Sequence, residues 1–259
     1  MPQTTESFWK NANILIADDE PDMREIFSAW LRSLGCAVTE AADGKEALDV
    51  LTHARFDVLV TDVRMPRLTG IELVRQLHQS GSYTPVIIFV SGFVDLPLPD
   101  AYDLGVEAVL SKPCHRKELV GALRRSIQRR DLIFEPENDT VAPKGAASIK
   151  QMQREISPEE SPVAVGRGGV SMEVAERLDL GSPIRFSFEF ASAEEMPTPL
   201  AGWGVIRWCE MISEHLRAGI EFMYLEDESR ESFAKWLQRE RPSSFIPKEH
   251  HGRSAGASP

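Results

Sequence analysis

Hydrophobic residues in the first half of the chain alternate between short apolar runs and stretches with the period of an amphipathic helix. The apolar runs predict five β-strands, and the periodic stretches predict helices between them. The predicted strands are 14–17, 37–41, 58–61, 86–90 and 108–110, and the clearest helices are 44–54, 69–79 and 117–130. Because nearly continuous apolar strands alternate with helices, we predict an α/β fold with a parallel sheet covered on both faces.

The pattern changes after residue 130. Residues 131–160 combine acidic residues with Pro, Gly and Ala, which predicts a linker, with one strand at 148–153. Beyond the linker, large apolar residues alternate with polar ones at Ile184, Phe186, Phe188 and Phe190, the period of a strand with one buried face. Further strands are predicted at 163–174, 200–209 and 217–223, followed by a helix at 229–238.

This division predicts four regions. An α/β domain covers residues 11–130, the linker covers 131–160, a small β domain covers 161–241, and a polar, flexible tail covers 242–259.

Composition narrows the class of protein. The 259 residues carry a formal charge of −11, and the second half, with 14 basic and 22 acidic residues, carries −8 of it. A DNA-binding domain normally presents a basic face, so we expect no DNA partner. No apolar run approaches the ~18 residues of a membrane span, and no signal peptide is evident, which predicts a cytoplasmic protein. The three widely spaced cysteines predict no disulfide framework.

Polar residues suited to one chemistry follow the predicted strands. Asp18 and Asp19 follow the first, Asp62 the third, Ser91 the fourth and Lys112 the fifth. In a parallel sheet these carboxyl ends meet at one edge, where converging carboxylates repel each other unless a cation lies between them. Oxygen ligands suit Mg²⁺. A carboxylate can accept a phosphoryl group, whose charge the metal, a lysine and a hydroxyl would stabilise.

Each residue alone has a simpler explanation. An aspartate after a strand is commonly a helix N-cap or a turn residue, a lone lysine is commonly a solvated charge, and a lone serine belongs to a turn. The four motifs in order favour the pocket over these separate explanations.

Residues 11–130 resemble the receiver domain of a two-component response regulator. Four motifs carry the resemblance: Ile14-Leu15-Ile16-Ala17-Asp18-Asp19-Glu20; Val58-Leu59-Val60-Thr61-Asp62-Val63-Arg64-Met65-Pro66 with Gly70; Phe89-Val90-Ser91-Gly92; and Ser111-Lys112-Pro113. The resemblance implies a doubly wound, flavodoxin-like, five-stranded sheet.

The resemblance also implies roles for the residues at the sheet edge. Asp62 is the expected phosphoacceptor. The expected Mg²⁺ site comprises the acidic pair Asp18 and Asp19, together with Asp62 and the backbone carbonyl of Arg64. Ser91 and Lys112 are expected to contact the phosphoryl oxygens.

Two positions depart from the family pattern. Many receivers have Tyr or Phe, a rotating switch residue, where this chain has Val109, and a branched aliphatic side chain cannot swing in the same way. Pro97 and Pro99 stand where the fourth helix should begin, which predicts a late and short helix. We therefore expect intact phosphotransfer chemistry with a modified means of transmitting the signal.

The second half resembles a PilZ domain, an antiparallel β-barrel with a final helix that in many members binds cyclic di-GMP. Five segments carry the resemblance: Gly168-Gly169-Val170; Leu180-Gly181-Ser182-Pro183-Ile184-Arg185-Phe186; Gly204-Val205-Ile206-Arg207-Trp208; Ala218-Gly219-Ile220-Glu221-Phe222; and the final helix. The family's binding turn falls on residues 164–169, where only Gly169 matches, and its paired arginines are not found. Arg154, Arg167 and Gly169 are weak candidates for nucleotide binding.

Together these observations predict a response regulator that a sensor histidine kinase or a phosphotransfer protein phosphorylates on Asp62, with Mg²⁺ as cofactor. Its only expected chemistry is its own phosphotransfer and dephosphorylation, and its output is expected to act on a downstream protein partner. The alternative is a cyclic di-GMP receptor under receiver control. A phosphorylation-regulated DNA-binding protein is a third possibility, which the acidic second half disfavours.

Overall fold

The computed structural model of the chain describes residues 12–80, 84–92, 96–132, 147–151, 163–188, 190 and 199–249. The chain forms two compact units, Met1–Pro97 with Val106–Arg129, and Leu98–Gly105 with Arg130–Pro259. We call them the N-terminal and the C-terminal unit. No helix in the described ranges is long and apolar enough to cross a membrane.

The N-terminal unit contains a five-stranded parallel sheet with strand order β2-β1-β3-β4-β5. The strands are β1 (Asn13–Ala17), β2 (Ala37–Ala41), β3 (Val58–Asp62), β4 (Val86–Ser91) and β5 (Ala108–Ser111). The helices are α1 (Pro21–Arg32), α2 (Gly44–His53), α3 (Gly70–Gln79) and α5 (Arg116–Leu132). The predicted α/β class and parallel sheet are confirmed, and each predicted strand lies within one or two residues of its observed bounds.

Two apolar clusters cover the sheet. Residues from alternate positions of β1 and β3 enter different clusters: Ile14 and Ile16 pack with α1 and α5, whereas Leu15 and Leu59 pack with α2 and α3. β3 and β4 are buried along their whole length, as expected for central strands with helices on both faces.

Local side-chain chemistry sets where the helices begin. The Asp43 carboxylate accepts hydrogen bonds from the amides of Lys45 and Glu46 at the start of α2. Thr69 and Glu72 form a reciprocal capping box at the start of α3. α3 therefore begins in a defined place, a few residues after β3.

The C-terminal unit contains a six-stranded sheet with strand order β6-β9-β10-β11-β8-β7. All its pairings are antiparallel except β6 with β9, and the sheet forms a half-barrel. The strands are β6 (Ala147–Gln151), β7 (Val163–Val165), β8 (Gly169–Glu173), β9 (Pro183–Phe188), β10 (Leu200–Ile212) and β11 (His215–Leu225), and the last helix is α6 (Asp227–Glu240). This architecture is compatible with the predicted small β-barrel.

Aromatic side chains form the centre of the C-terminal core. Phe222 lies 5.2 Å from Phe186, ring centroid to centroid, and meets Phe233 of α6 edge-on at 5.4 Å. Phe233 also stacks on Trp236. The inward positions of β9 and one face of α6 thus enclose a single apolar core.

Two parts of the chain differ from the sequence-based expectation. The short helix α4 (Leu98–Asp103) lies between β4 and β5 in sequence, yet Leu98–Gly105 belongs to the C-terminal unit. The tail predicted to be flexible from residue 242 includes Phe245 and Ile246, which are 4% and 0% exposed. Both differences have one physical cause, apolar burial between distant segments, which the local hydrophobic period does not show.

Candidate functional site

The strand register brings the predicted polar residues to one edge of the parallel sheet. Asp62 is the last residue of β3, and Ser91 and Ser111 are paired at the ends of β4 and β5. Asp18 follows the last residue of β1, and Lys112 follows the last residue of β5. The carboxyl ends therefore meet as the topology predicts.

Lys112 occupies the centre of this edge. Its Nζ lies 2.5 Å from Asp62 Oδ2, 2.9 Å from Glu20 Oε1 and 3.1 Å from Asp18 Oδ2. Burial by itself lowers the pKa of Lys112, but its hydrogen bonds to Asp62, Glu20 and Asp18 outweigh that effect and raise the pKa above its usual value. The ammonium therefore stays charged among the three carboxylates.

Backbone groups orient the two buried carboxylates. Asp62 Oδ1 accepts a hydrogen bond from the Arg64 amide at 3.0 Å, and Asp18 Oδ1 accepts one from the Glu20 amide at 2.9 Å. Burial raises the pKa of Asp18, although the bond from the Glu20 amide and the charge of Lys112 oppose this change. Asp18 is 1% exposed and Asp62 is 7% exposed.

The residue that begins α3 lies close against the backbone of Asp62. A β-carbon on Gly70 would lie 2.2 Å from the carbonyl oxygen of Asp62, which is far inside van der Waals contact. Only glycine allows the start of α3 to approach the end of β3 this closely. The Thr61 hydroxyl donates to the same carbonyl oxygen at 2.9 Å.

The acidic groups fit a divalent cation. Asp18, Glu20 and Asp62 each offer one carboxylate oxygen, and these oxygens lie within 4.8 Å of one another. Three carboxylates against one ammonium leave two negative charges, and an all-oxygen donor set with few protein ligands suits Mg²⁺.

The structure brings together most, though not all, of the predicted site residues. As predicted, Lys112 contacts both Asp18 and Asp62. Ser91 lies at the end of the neighbouring strand, where its hydroxyl donates to the Gly92 carbonyl at 3.0 Å. Asp19 is exposed and lies outside the acidic cluster found in the described residues.

Sequence reasoning did not single out Glu20. The signal was present, because Glu20 completes the acidic run after β1 and directly precedes Pro21, the first residue of α1. Its carboxylate reaches Lys112, which is 92 positions away in sequence.

Comparison with known proteins agrees with this geometry. Residues 14–124 match the model of the response regulator receiver domain. The response regulator protein TodT of Pseudomonas putida is 31% identical over 170 residues, a match that covers 64% of this chain and 72% of TodT. The chain belongs to the response regulator family. The predicted receiver domain is thereby confirmed.

Other response regulators match over shorter or similar lengths. The response regulator MprA of Mycolicibacterium vanbaalenii is 31% identical over 61% of this chain and 69% of its own length. Among solved structures, the chemotaxis protein CheY4 of Vibrio cholerae is 33% identical over 44% of this chain and 98% of CheY4, with a TM-score of 0.42.

The candidates for nucleotide binding lie elsewhere. Arg154 falls outside the described residues. Arg167 lies in the turn between β7 and β8, where it donates to the Gly105 carbonyl and its guanidinium lies 5.6 Å above the centre of the Phe245 ring. Gly169 begins β8, and a β-carbon there would meet the Ile220 carbonyl oxygen at 2.2 Å. The groups at this turn are thus engaged with the chain itself.

Proposed function

We propose that this response regulator is cytoplasmic and is phosphorylated on Asp62 by a sensor histidine kinase or a phosphotransfer protein. The observation that carries the proposal is the buried Asp62 carboxylate in contact with Lys112, next to Asp18 and Glu20. This arrangement pairs a nucleophile with groups that stabilise phosphoryl oxygens.

In the transfer, a carboxylate oxygen of Asp62 forms a bond to phosphorus while the bond to the donor histidine nitrogen breaks. The product is an acyl phosphate, and the histidine keeps the electron pair. Lys112 moves its hydrogen bond from Asp62 Oδ2 to a phosphoryl oxygen. The Ser91 hydroxyl, which donates to the Gly92 carbonyl, turns to donate to a second phosphoryl oxygen. The Arg64 amide continues to hold Asp62 Oδ1.

Receiver domains typically use Mg²⁺ at an acidic pocket, and the residues present fit that ion. The ion, when bound, neutralises charge on the transferring phosphoryl group. We assign Asp18, Asp62 and the Arg64 carbonyl to its binding, with Asp19 as the further carboxylate that the family resemblance implies. The geometry adds Glu20 as an alternative to Asp19.

We propose that the C-terminal half-barrel is a PilZ-like output domain that contacts a downstream protein. Its antiparallel sheet and final helix support this assignment. The engagement of Arg167 with Gly105 and Phe245 disfavours a cyclic di-GMP site at the β7–β8 turn. The only reactions we assign to the chain are its own phosphotransfer and dephosphorylation.

The proposal is tested on the full chain with Mg²⁺ and acetyl phosphate as the phosphodonor. We expect a mass gain of one phosphoryl group, lost on treatment with hydroxylamine, in the wild type and in Asp49→Asn, an exposed aspartate of α2 that serves as the control. Asp62→Asn abolishes the gain because the nucleophile is missing.

A phosphoryl group that persists in Asp62→Asn would contradict the assignment of the acceptor. In the same assay, titrations of Mg²⁺ with Asp19→Asn and Glu20→Gln separate the two metal assignments. The variant that lacks a true ligand needs more Mg²⁺ for half-maximal phosphorylation, and the other behaves as the wild type.

A further inference from the structure

The fourth helix of the receiver sequence, α4, packs against residues 244–248. Tyr102 of α4 is buried with Trp208 and Ile212 of β10 and with Phe245 and Ile246. The rings of Tyr102 and Phe245 stack with centroids 6.2 Å apart. α4 has only six residues, and a helix of that length has little stability of its own, so these contacts are what order it.

Backbone hydrogen bonds fix the same contact. The Tyr102 carbonyl accepts from the amides of Phe245 at 2.9 Å and Ile246 at 3.3 Å. The Asp103 carboxylate accepts from the Ser244 hydroxyl at 3.1 Å and from the Lys248 amide at 3.0 Å. We call residues 243–248, which make these contacts, the return segment.

An ion pair joins the last residue of the return segment to α4. Lys248 Nζ lies 2.8 Å from Asp100 Oδ1. The hydrogen bond to Asp100 raises the pKa of Lys248 above its ordinary value. Both side chains are partly exposed, and the ion pair adds orientation more than stability.

The other side of the return segment is held by the β7–β8 turn. The Arg167 amide donates to the Ser244 carbonyl and the Gly168 amide donates to the Phe245 carbonyl, each at 3.0 Å. A β-carbon on Gly168 would lie 1.8 Å from the Phe245 ring, so the turn accepts this ring only with glycine there. The return segment therefore lies between α4 and the β7–β8 turn, within one compact unit.

We propose that the return segment is a latch that holds α4 in the C-terminal unit, and that the state of the Asp62 pocket reaches the C-terminal unit through α4. Six residues separate Ser91, at the pocket, from Leu98, the first residue of α4. The transmission rests on the proposed phosphorylation of Asp62, whereas the holding of α4 does not. Transmission through α4 gives this chain a route that needs no rotating aromatic side chain at position 109, where the residue is Val109.

The holding of α4 is tested by amide hydrogen exchange in the full chain without phosphodonor. Lys248→Glu and Phe245→Ala are compared with Lys235→Glu, which makes the same charge change as Lys248→Glu at an exposed position of α6. We expect exchange in residues 98–105 to rise about tenfold in Phe245→Ala, because local opening becomes easier when the buried ring is lost. In Lys248→Glu we expect a smaller rise of about two- to threefold, because the ion pair is partly exposed. Exchange in β1 and β3 stays at the wild-type rate in all three variants.

A charge-reversed pair keeps this test decisive if Phe245→Ala fails to fold. Asp100→Lys combined with Lys248→Asp should restore slow exchange in residues 98–105, whereas either change alone does not. Unchanged exchange in Lys248→Glu and in folded Phe245→Ala overturns the latch.

The transmission is tested by adding Mg²⁺ and acetyl phosphate. In the wild type we expect exchange in residues 243–248 to change together with exchange in residues 98–105, and in Lys248→Glu the response of 243–248 is lost although Asp62 still accepts phosphate. Phosphorylation of Asp62 without any response in wild-type residues 243–248 overturns the transmission and leaves the proposed function intact. Absence of phosphorylation contradicts the proposed function and the transmission with it, while the exchange without phosphodonor still decides the latch.

Discussion

The two units organise their key contacts in opposite ways. In the N-terminal unit, four parallel strands deliver Asp18, Asp62, Ser91 and Lys112 to one edge, and each residue directly follows or ends its own strand. In the C-terminal unit, α4 and the return segment meet across more than a hundred positions, as between Asp100 and Lys248. The first arrangement follows from topology, and the second depends on packing between particular side chains.

The two units therefore tolerate different changes. The phosphoacceptor pocket depends on register and on close backbone approach, because its charged groups lie where strand ends place them. The C-terminal contacts depend on buried aromatic area, because neither the short helix α4 nor residues 243–248 belong to a β-sheet whose backbone pairing would hold them.

The largest expected effect would break the C-terminal unit while leaving the N-terminal one intact. Phe233 is fully buried against Phe222 and Trp236, so Phe233→Ala should lower the free energy of unfolding of that unit by about 3–5 kcal/mol. Urea unfolding followed by tryptophan fluorescence measures this in a chain that carries Trp9→Phe and Trp30→Phe, since the remaining Trp203, Trp208 and Trp236 belong to the C-terminal unit.

Met211→Ala is the control for this change, because Met211 is 63% exposed and its truncation should alter stability by under about 0.5 kcal/mol. Phosphorylation of Asp62 should persist in Phe233→Ala at urea concentrations that unfold the C-terminal unit. If both signals disappear in one transition, the two units do not unfold separately.

A smaller effect should appear in the N-terminal unit at Gly70. Gly70→Ala forces a β-carbon against the Asp62 carbonyl oxygen, which should cost about 1–3 kcal/mol of stability and slow phosphorylation by displacing Asp62. Urea unfolding and a time course with acetyl phosphate measure the two effects.

Gly121→Ala is the matched control, because a β-carbon there meets only the Arg125 side chain at 3.5 Å. This change in the interior of α5 should leave phosphorylation unaltered and stabilise the helix by up to about 1 kcal/mol. Equal phosphorylation rates in the two alanine variants would show that the close approach of α3 to Asp62 is dispensable.

The effect that is smallest at neutral pH is a loss of stability that appears only in alkaline solution. Burial, together with the charge of Glu118, raises the pKa of the Cys114 thiol to about 11 from an ordinary value of 9.0. Between these values the unfolded chain releases a proton that the folded chain keeps. The free energy of unfolding therefore falls with rising pH, by at most about 1.4 kcal/mol per pH unit for this thiol.

Urea unfolding from about pH 8 to about pH 11 measures this slope, and Cys114→Ala should reduce it. Burial raises the pKa of Cys36 as well, so part of the slope should remain in the variant. A slope that is identical with and without the Cys114 thiol would mean that this group is accessible to water in the folded protein.

Much of the N-terminal unit could be predicted because its signals are local. The apolar runs gave β2 its observed bounds at Ala37–Ala41 and placed Asp62, Ser91 and Lys112 at strand ends. The two prolines before and within α4 correctly indicated a late, short helix. Each of these features depends on residues that are neighbours in sequence.

The remaining features depend on contacts that no local pattern contains. Glu20 joins the pocket only because Lys112 reaches it, and Asp19, one position earlier, is exposed. β10 extends to Ile212 through two irregularities in its pairing with β11, which an alternating pattern does not predict.

The sequence by itself determined the parallel sheet, the order of its motifs and the family to which the chain belongs, because strand periodicity and residues at strand ends are properties of short segments. The tertiary structure alone decided that Glu20 faces Lys112 and that α4 and residues 243–248 share one core. Those contacts depend on which apolar and charged groups meet after the chain has folded. That outcome is set by burial and by the satisfaction of buried hydrogen bonds across long sequence separations.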